Sequence, residues 1–398
     1  MHSINISDTL QELNFLVEQN DISRASRKIL DLTKEFDLPP TIELLAHEIR
    51  AQHNLQSDEG LQEKCKTFIA YINEHKAELE TILRSYSSET QIAYNAVGLS
   101  KRYYSGNSPF YLQPSSIQLK TGQITGVVGE NGNGKTTLLR IIAGQLLSDT
   151  GEIEYPILGL KGGDWYKIKN QIAFIPQRMD KWHGTLIDNL RFYATIHGIK
   201  DLENNKQVEY ILHRLGLERF RDLKWSEISS GYRLRFELAK MLMWRPKLLV
   251  LDEPLANLDI NAQQLFLQDL KFIIKSVRYP LAVILSSQAL HEIESVADNI
   301  VFIKQGQTLY SGSQKAFGEE RTCNTFEISG NFERAQLVDV MNLIPQSKIE
   351  DSGTVYIISV PLELSAEEFL QTILMNKISL NYFRDISFST RKLFKKDF

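Results

Sequence analysis

The chain has 398 residues, 42% of them hydrophobic, which suits two or three domains with ordinary globular cores. Its formal net charge of -4 argues against a general polyanion binder, so no nucleic acid is expected as a partner. Two cysteines far apart, Cys65 and Cys323, make a zinc site an unsuitable expectation and fit a reducing cytosol. The opening MHSINISDTLQEL has neither a basic nor an apolar leader segment, and no apolar run approaches the roughly 18 residues of a membrane helix. A soluble cytoplasmic chain is the expectation.

Residues 1–90 read as helix throughout. Leu10, Leu13, Leu16 and Val17 share a face after a cap at Ser7 or Asp8. Ile22, Ala25, Ile29 and Phe36 mark a second helix that Pro39 and Pro40 close, and Ile42, Leu45, Ala46 and Ile49 mark a third. A fourth helix is predicted from Ser57 through Tyr86. Short connections favour an antiparallel bundle. Such a bundle either packs passively on its neighbour or serves as a protein-interaction module. The second is preferred, because the next region has a complete core without it.

From about residue 91 to 318, strand–loop–helix alternation indicates an α/β domain. Within it, GQITGVVGENGNGKTTLLRIIAG (122–144) runs from an apolar strand through Gly129 to Thr136 into a helix, matching G-x-x-x-x-G-K-[ST] in the required context. Glycines let successive backbone N–H groups converge on phosphates, and the helix N-terminus adds partial positive charge. Nucleotide contacts are therefore expected from Gly129, Asn131, Gly132, Asn133, Gly134, Lys135, Thr136 and Thr137, with Lys135 reaching the β- and γ-phosphates and Thr136 ligating Mg²⁺. Further on, ISSGYRLRFELAKMLMWRP (228–246) puts a small-residue turn, Ser229 to Gly231, directly before a long helix. That is a second anion-binding N-terminus. A P-loop already serves the chain's own nucleotide, so this spare phosphate site suggests service to another chain. KLLVLDEP (247–254) follows, a buried strand from whose C-terminal end Asp252 and Glu253 emerge. Asp252 is a candidate Mg²⁺ ligand and Glu253 a candidate to polarise the attacking water. In ILSSQALHE (284–292) an apolar run stops at Ser286 and Ser287, before Gln288 and His291.

The tail from about residue 322 reads strand, helix, strand, strand, helix, strand, the βαββαβ order of ferredoxin-like domains. Three domains are thus expected: 1–90, 91–318 and 319–398.

The order of these motifs resembles the ATP-binding cassette (ABC) ATPases across roughly residues 91–318. The resemblance implies a P-loop fold with a mixed sheet core and a helical subdomain, with ATP and Mg²⁺ as cofactors. Where the family typically has Leu-Ser-Gly-Gly-Gln, this chain has Ile228-Ser229-Ser230-Gly231-Tyr232, keeping the Ser and one Gly. The resemblance also implies that Gln177 reaches Mg²⁺, that Asp259 touches the opposite subunit, and that Tyr103 or the adjacent Tyr104 stacks on adenine. In the family a histidine stands just after the strand ending at Ser287. Here that position is Gln288, which can donate a γ-phosphate hydrogen bond but carry no proton near neutral pH. His291 is then expected to lie inside the following helix, pointing away.

GTLIDNLRFYATIHGI (184–199) and NYFRDISFSTRKLF near the C-terminus resemble single-cassette exporter ATPases, which work with separate transmembrane permease subunits. One P-loop and one signature per chain imply a homodimer closed around ATP. Residues 1–90 also resemble short helical effector-associated modules and imply a further protein partner. A soluble cassette without a transporter, and a non-hydrolysing switch, are the competing readings.

Overall fold

A computed structural model describes residues 5–54, 60–86, 90–104, 109–256, 258–314 and 323–387. The chain divides into two compact units, Met1–Ser311 and Gly312–Phe398. The N-terminal helices share a unit with the α/β fold.

Five helices open the first unit: α1 (Ile6–Glu18), α2 (Ile22–Phe36), α3 (Pro40–Asn54), α4 (Leu61–Glu74) and α5 (Lys76–Ser85). The cap of α1 is Asn5, whose side chain accepts from the Ser7 N–H, rather than Ser7 or Asp8. The expected fourth helix is two, broken at His75. There the backbone N–H and the ring Nδ1 both turn back to the Tyr71 carbonyl, and the chain swings to bury Leu79. Leu13, Ala25, Ile29, Phe68 and Ile72 form a bundle core that also takes in Tyr210 from the α/β fold.

The α/β fold begins with β1 (Ile92–Tyr103), β2 (Phe110–Lys120), β3 (Ile124–Val128), α6 (Lys135–Ile142), β4 (Thr150–Tyr155), β5 (Leu160–Lys161), α7 (Trp165–Lys169) and β6 (Ile172–Ile175). It continues with α8 (Leu186–Ile196), α9 (Asp201–Leu215), α10 (Ser230–Leu242), β7 (Leu248–Leu251), α11 (Ile260–Ile273), β8 (Ala282–Ser287), α12 (Leu290–Glu294), β9 (Asn299–Lys304) and β10 (Gln307–Ser313). One sheet has the order β2-β1-β4-β5 and the other β10-β9-β3-β8-β7-β6. In the second, β3 pairs in parallel with β8 and β9, and β7 with β6 and β8. Apolar runs such as Ile124–Val128 and Leu248–Leu251 are buried at every position, as strands covered on both faces require. The polar residues that follow β3, β7 and β8 leave the sheet at the same edge, the carboxyl ends where ligands bind in such sheets.

The N-terminal helices are fastened to this fold by buried charge. Asp269 on α11, fully buried, lies 3.1 Å from Arg235 on α10, 3.5 Å from Arg27 on α2 and 3.8 Å from Arg214 on α9. Arg214 also donates through Nε to Asp31 on α2. Arg50 on α3 donates to the His213 carbonyl at 3.0 Å, and Glu35 accepts from the Arg278 N–H at 3.1 Å. Burial pushes the Asp31 and Glu35 carboxyls up and the Arg50 guanidinium down to about 10.

In the second unit, β11 (Cys323–Gly330), α13 (Arg334–Met341), β12 (Lys348–Asp351), β13 (Tyr356–Pro361), α14 (Ala366–Met375) and β14 (Leu380–Asp385) form an antiparallel sheet ordered β12-β13-β11-β14. Phe326, Phe369 and Ile358 fill its core against the two helices. This is the ferredoxin-like arrangement expected from the element order. The last residues of the exporter-like tail segment, 388–394, lie outside the described residues.

Candidate active site

The loop after β3 is shaped by close approaches. A Cβ at Gly129 would come within 2.3 Å of the Ile303 carbonyl oxygen, and one at Gly134, where φ is +101°, within 2.7 Å of the Phe110 ring. Neither position accommodates a side chain without displacing backbone or ring. Asn133, expected to meet nucleotide, uses its side-chain oxygen to accept from the Gln305 N–H at 3.0 Å, which pins the loop to the β9–β10 turn. Asn131 and Gly132 are exposed at the loop's crest, and Thr136 and Thr137 sit half-buried in the first turn of α6. The Lys135 ammonium is buried, donating to the Gly129 carbonyl at 2.7 Å and the Glu130 carbonyl at 3.2 Å.

Facing it, Asp252 and Glu253 follow β7. Asp252 Oδ1 accepts from Thr136 Oγ1 at 3.1 Å and from Ser286 Oγ at 2.9 Å. Glu253 adopts a left-handed backbone, φ 47°, uncommon for a residue with a side chain. Its N–H is held by Ser286 Oγ at 2.9 Å. The carboxylate collects three donors: Lys135 Nζ at 3.1 Å, Gln177 Nε2 at 2.8 Å and Gln288 Nε2 at 2.9 Å. Seven residues from four separate sequence motifs thus meet at one edge of the sheet. Ser286, which ties both acids to β8, was singled out in the sequence only as a strand end. Its signal was two serines closing an otherwise apolar strand.

Other expected residues lie apart from this cluster. Ser229 is the N-cap of α10, accepting from the Tyr232 N–H, and Asp259 is the N-cap of α11, accepting from the Ala262 N–H. A Cβ at Gly231 would lie 2.9 Å from the Ala262 Cβ, so the two caps stand side by side. Neither cap shares a hydrogen bond with the P-loop cluster among the described residues. Tyr103 ends β1, 38% exposed with its ring centroid 6.4 Å from that of Phe110, whereas Tyr104 is 81% exposed. Helix α12 starts at Leu290 after Ala289, and Ser287 Oγ donates to Glu292 at 2.6 Å. His291 is therefore in the first turn of a five-residue helix, and the orientation expected for its side chain lies outside the described residues.

Residues 112–256 match the family model described as "ABC transporter". The tungstate uptake system ATP-binding protein TupC of Peptoclostridium acidaminophilum is 30% identical over 52% of this chain and 92% of that protein. The chain belongs to the ABC ATPase family. This cassette is also 28% identical to the Nod factor export ATP-binding protein I of a Rhizobium species, over 66% of this chain and 84% of the relative. The solved structure of cbiO1 from Clostridium perfringens, part of the ABC transporter complex cbiONQ, shares the fold with a TM-score of 0.52 at 24% identity. That match covers 58% of this chain and 92% of the other. As an ABC ATPase the chain binds and hydrolyses ATP. No helix among its described residues is long and apolar enough to cross a membrane.

The residues at the site fit the ligands the family implies. The loop whose Gly129 and Gly134 lie too close to Ile303 and Phe110 for a Cβ leads into the N-terminus of α6, an end that favours anions, and a buried ammonium stands beside it. Thr136 Oγ1 and an Asp252 oxygen, 3.1 Å apart, form the sparse hard-oxygen set that suits Mg²⁺ when phosphate oxygens and water complete its shell.

Proposed function

We propose that the cassette works as a cytoplasmic homodimer that hydrolyses ATP to energise a separate transmembrane exporter subunit. The observation that carries the hydrolytic part is the convergence of Lys135, Gln177 and Gln288 on the Glu253 carboxylate, beside Asp252 and Thr136. In this reading the loop from Gly129 to Gly134, with Asn131, Gly132 and Asn133, cradles the phosphates together with Lys135, Thr136 and Thr137, and Tyr103 stacks on adenine. Mg²⁺, held by Thr136, Asp252 and Gln177, supplies charge neutralisation at the phosphates. Glu253 orients the attacking water and accepts its proton, and the two glutamine amides hold the carboxylate in place. Hydrolysis then rests on positioning and electrostatics, as in other P-loop enzymes.

The dimer is supported by the signature turn at Ser229–Gly231 and the cap at Asp259. They stand together, apart from their own P-loop, ready to complete a partner's site. Export is supported by the alignment with the Nod factor export protein, which runs over 66% of the chain against 52% for the tungstate uptake protein. A multispan membrane protein encoded beside this chain is the expected partner. A division into an interaction module (1–90), a cassette (91–318) and a ferredoxin-like domain (319–398) remains part of the proposal.

Glu253→Gln should lose hydrolysis and accumulate an ATP-bound dimer on size exclusion. Unchanged turnover would remove Glu253 from the role. Mixing inactive Lys135→Ala chains with inactive Ser229→Arg chains should restore activity. A fully active isolated monomer would overturn the dimer.

A further inference from the structure

Between β6 and α8, residues 176–184 have neither helix nor strand, and Gln177 stands at the start of this stretch. Gln177, Arg178, Asp180, Lys181 and His183 are exposed, and only Trp182 is buried, at 8% exposure. A loop without regular backbone pairing is placed as firmly as its buried contacts make it. Here that contact is one indole.

The ring is held from several directions. It stacks on Trp225 with centroids 4.8 Å apart and planes inclined by 21°, and it meets Phe236 edge-on at 6.1 Å. Its Nε1 donates to Glu237 Oε1 at 2.7 Å. The Lys240 ammonium, 2.6 Å from the other Glu237 oxygen, lies 5.1 Å from the ring centroid. Glu237 and Lys240 are both buried, on α10. A bond from an indole to a buried carboxylate is charge-assisted, and the stacked pair adds a preferred geometry that an aliphatic contact lacks. Trp225 is fixed in turn, its carbonyl accepting from Arg233 Nε at 3.0 Å. Just before it, the Leu223 and Arg221 carbonyls accept from the Leu186 and Ile187 N–H groups that open α8, each at 2.9 Å. Ser229, the N-cap of α10, follows four residues after Trp225.

We propose that Trp182 is a positioning residue for ATP hydrolysis. Anchored on Trp225 and Glu237, it fixes the loop from which Gln177 Nε2 donates to Glu253 at 2.8 Å, and so sets the aim of that carboxylate. Anchor and amide are five residues apart in an otherwise exposed stretch. Freeing the ring therefore lets Gln177 drift beyond the narrow range of distance and angle that a hydrogen bond tolerates. Lys135 and Gln288 stay on Glu253, so the result is a misaimed carboxylate and not a lost nucleotide site. The same stack ties Gln177 to the segment that leads into the Ser229–Gly231 turn. The inference rests on the reading of Glu253 as the hydrolytic carboxylate.

The test is steady-state ATP hydrolysis by the full chain, with Trp182→Ala and Trp182→Phe each made in the parent and in Gln177→Ala. Misplacing a group from a site remote from the reacting atoms can cost up to about a hundredfold in rate. Trp182→Ala should lower kcat about tenfold and leave the KM for ATP within about twofold, the split that marks lost transition-state alignment. Trp182→Phe keeps a ring on Trp225 and loses only the bond to Glu237, so it should lower kcat about threefold. In Gln177→Ala neither change should lower kcat further, because residues that act through one contact do not add. Circular dichroism checks that each variant is folded, and where Trp182→Ala is not, Trp182→Phe decides by the same comparison. An equal loss of kcat in both backgrounds would show a ring that only supports the fold, and it overturns the proposal. So does a loss confined to KM, a folded Trp182→Ala as active as the parent, or a Gln177→Ala as active as the parent. None of these outcomes touches the role of Glu253, which Glu253→Gln tests separately.

Discussion

Asp269→Asn removes one charge from the buried cluster while keeping volume and an acceptor oxygen for Arg235. At an effective dielectric near 20, the Arg235 pair alone is worth about 5 kcal/mol of direct attraction at 3.1 Å, before desolvation is subtracted. Breaking a buried pair from one side costs about 3–5 kcal/mol, because the partner's charge stays buried and uncompensated. Here three guanidiniums lose the same carboxylate, and only Asp31 remains among them. The expected loss for the Met1–Ser311 unit is therefore about 3–5 kcal/mol, a large share of the ~5–15 kcal/mol typical of folded proteins. Urea unfolding followed by circular dichroism should show the midpoint falling by about 1–2 M, for a slope near 3 kcal/mol/M. Adding Arg27→Met should recover part of the loss, since it withdraws a guanidinium that no longer has a counter-charge. A loss below about 1 kcal/mol, or a double variant weaker than the single by the full cost of Arg27→Met, would refute the account. The same cluster alters what is expected of a chain starting at Ser88. A cassette whose core is complete without residues 1–90 would leave them dispensable for nucleotide binding. Removing them deprives Arg214 of Asp31, so such a chain should bind ATP only at reduced stability.

Gln288→Ala should lower ATP turnover by removing one of the two amides on Glu253, and Gln288→His should be tolerated or faster; steady-state hydrolysis assays decide, and an Ala variant as active as the parent would exclude the role. His47, half-buried with its ring 5.2 Å from that of His213, is held down to about 4 from an ordinary 6.5, by burial first and then by that neighbour. Its contribution is fully present above pH 6.5 and lost as pH falls towards 4, because the unfolded chain takes up the proton first. Asp31 and Glu35, held up by burial, act in the opposite sense, so the parent must be compared with His47→Gln. The parent's stability relative to that variant should decline across this window, and a flat difference in urea midpoints would refute it.

The phosphate loop and the acidic pair were legible because each is contiguous: a strand, a turn and a helix carry the whole signal within a few residues. Gln177 and Gln288 were readable by resemblance and Glu253 from its strand, but not their meeting point, which depends on β6, β7 and β8 ending at one edge. The left-handed Glu253 and the bridge through Ser286 had no local signature. Neither did the charge cluster, whose members at Arg27, Asp31, Arg214, Arg235 and Asp269 are separated by most of the unit's length. Periodicity placed the bundle's apolar faces correctly, but it ran through His75, because the break there leaves the apolar spacing intact.

The contact between Gly231 and Ala262 has a consequence for how this chain can change. The first turn of the α10 helix and the first turn of α11 are separated by less than the space a methyl group needs. Volume added at one position must be surrendered at the other, so the two positions constrain each other. A lineage that enlarged residue 231 could keep its fold only by shrinking residue 262 or by prying the helices apart. In the second case both caps would shift together, and the whole edge would be remade at once.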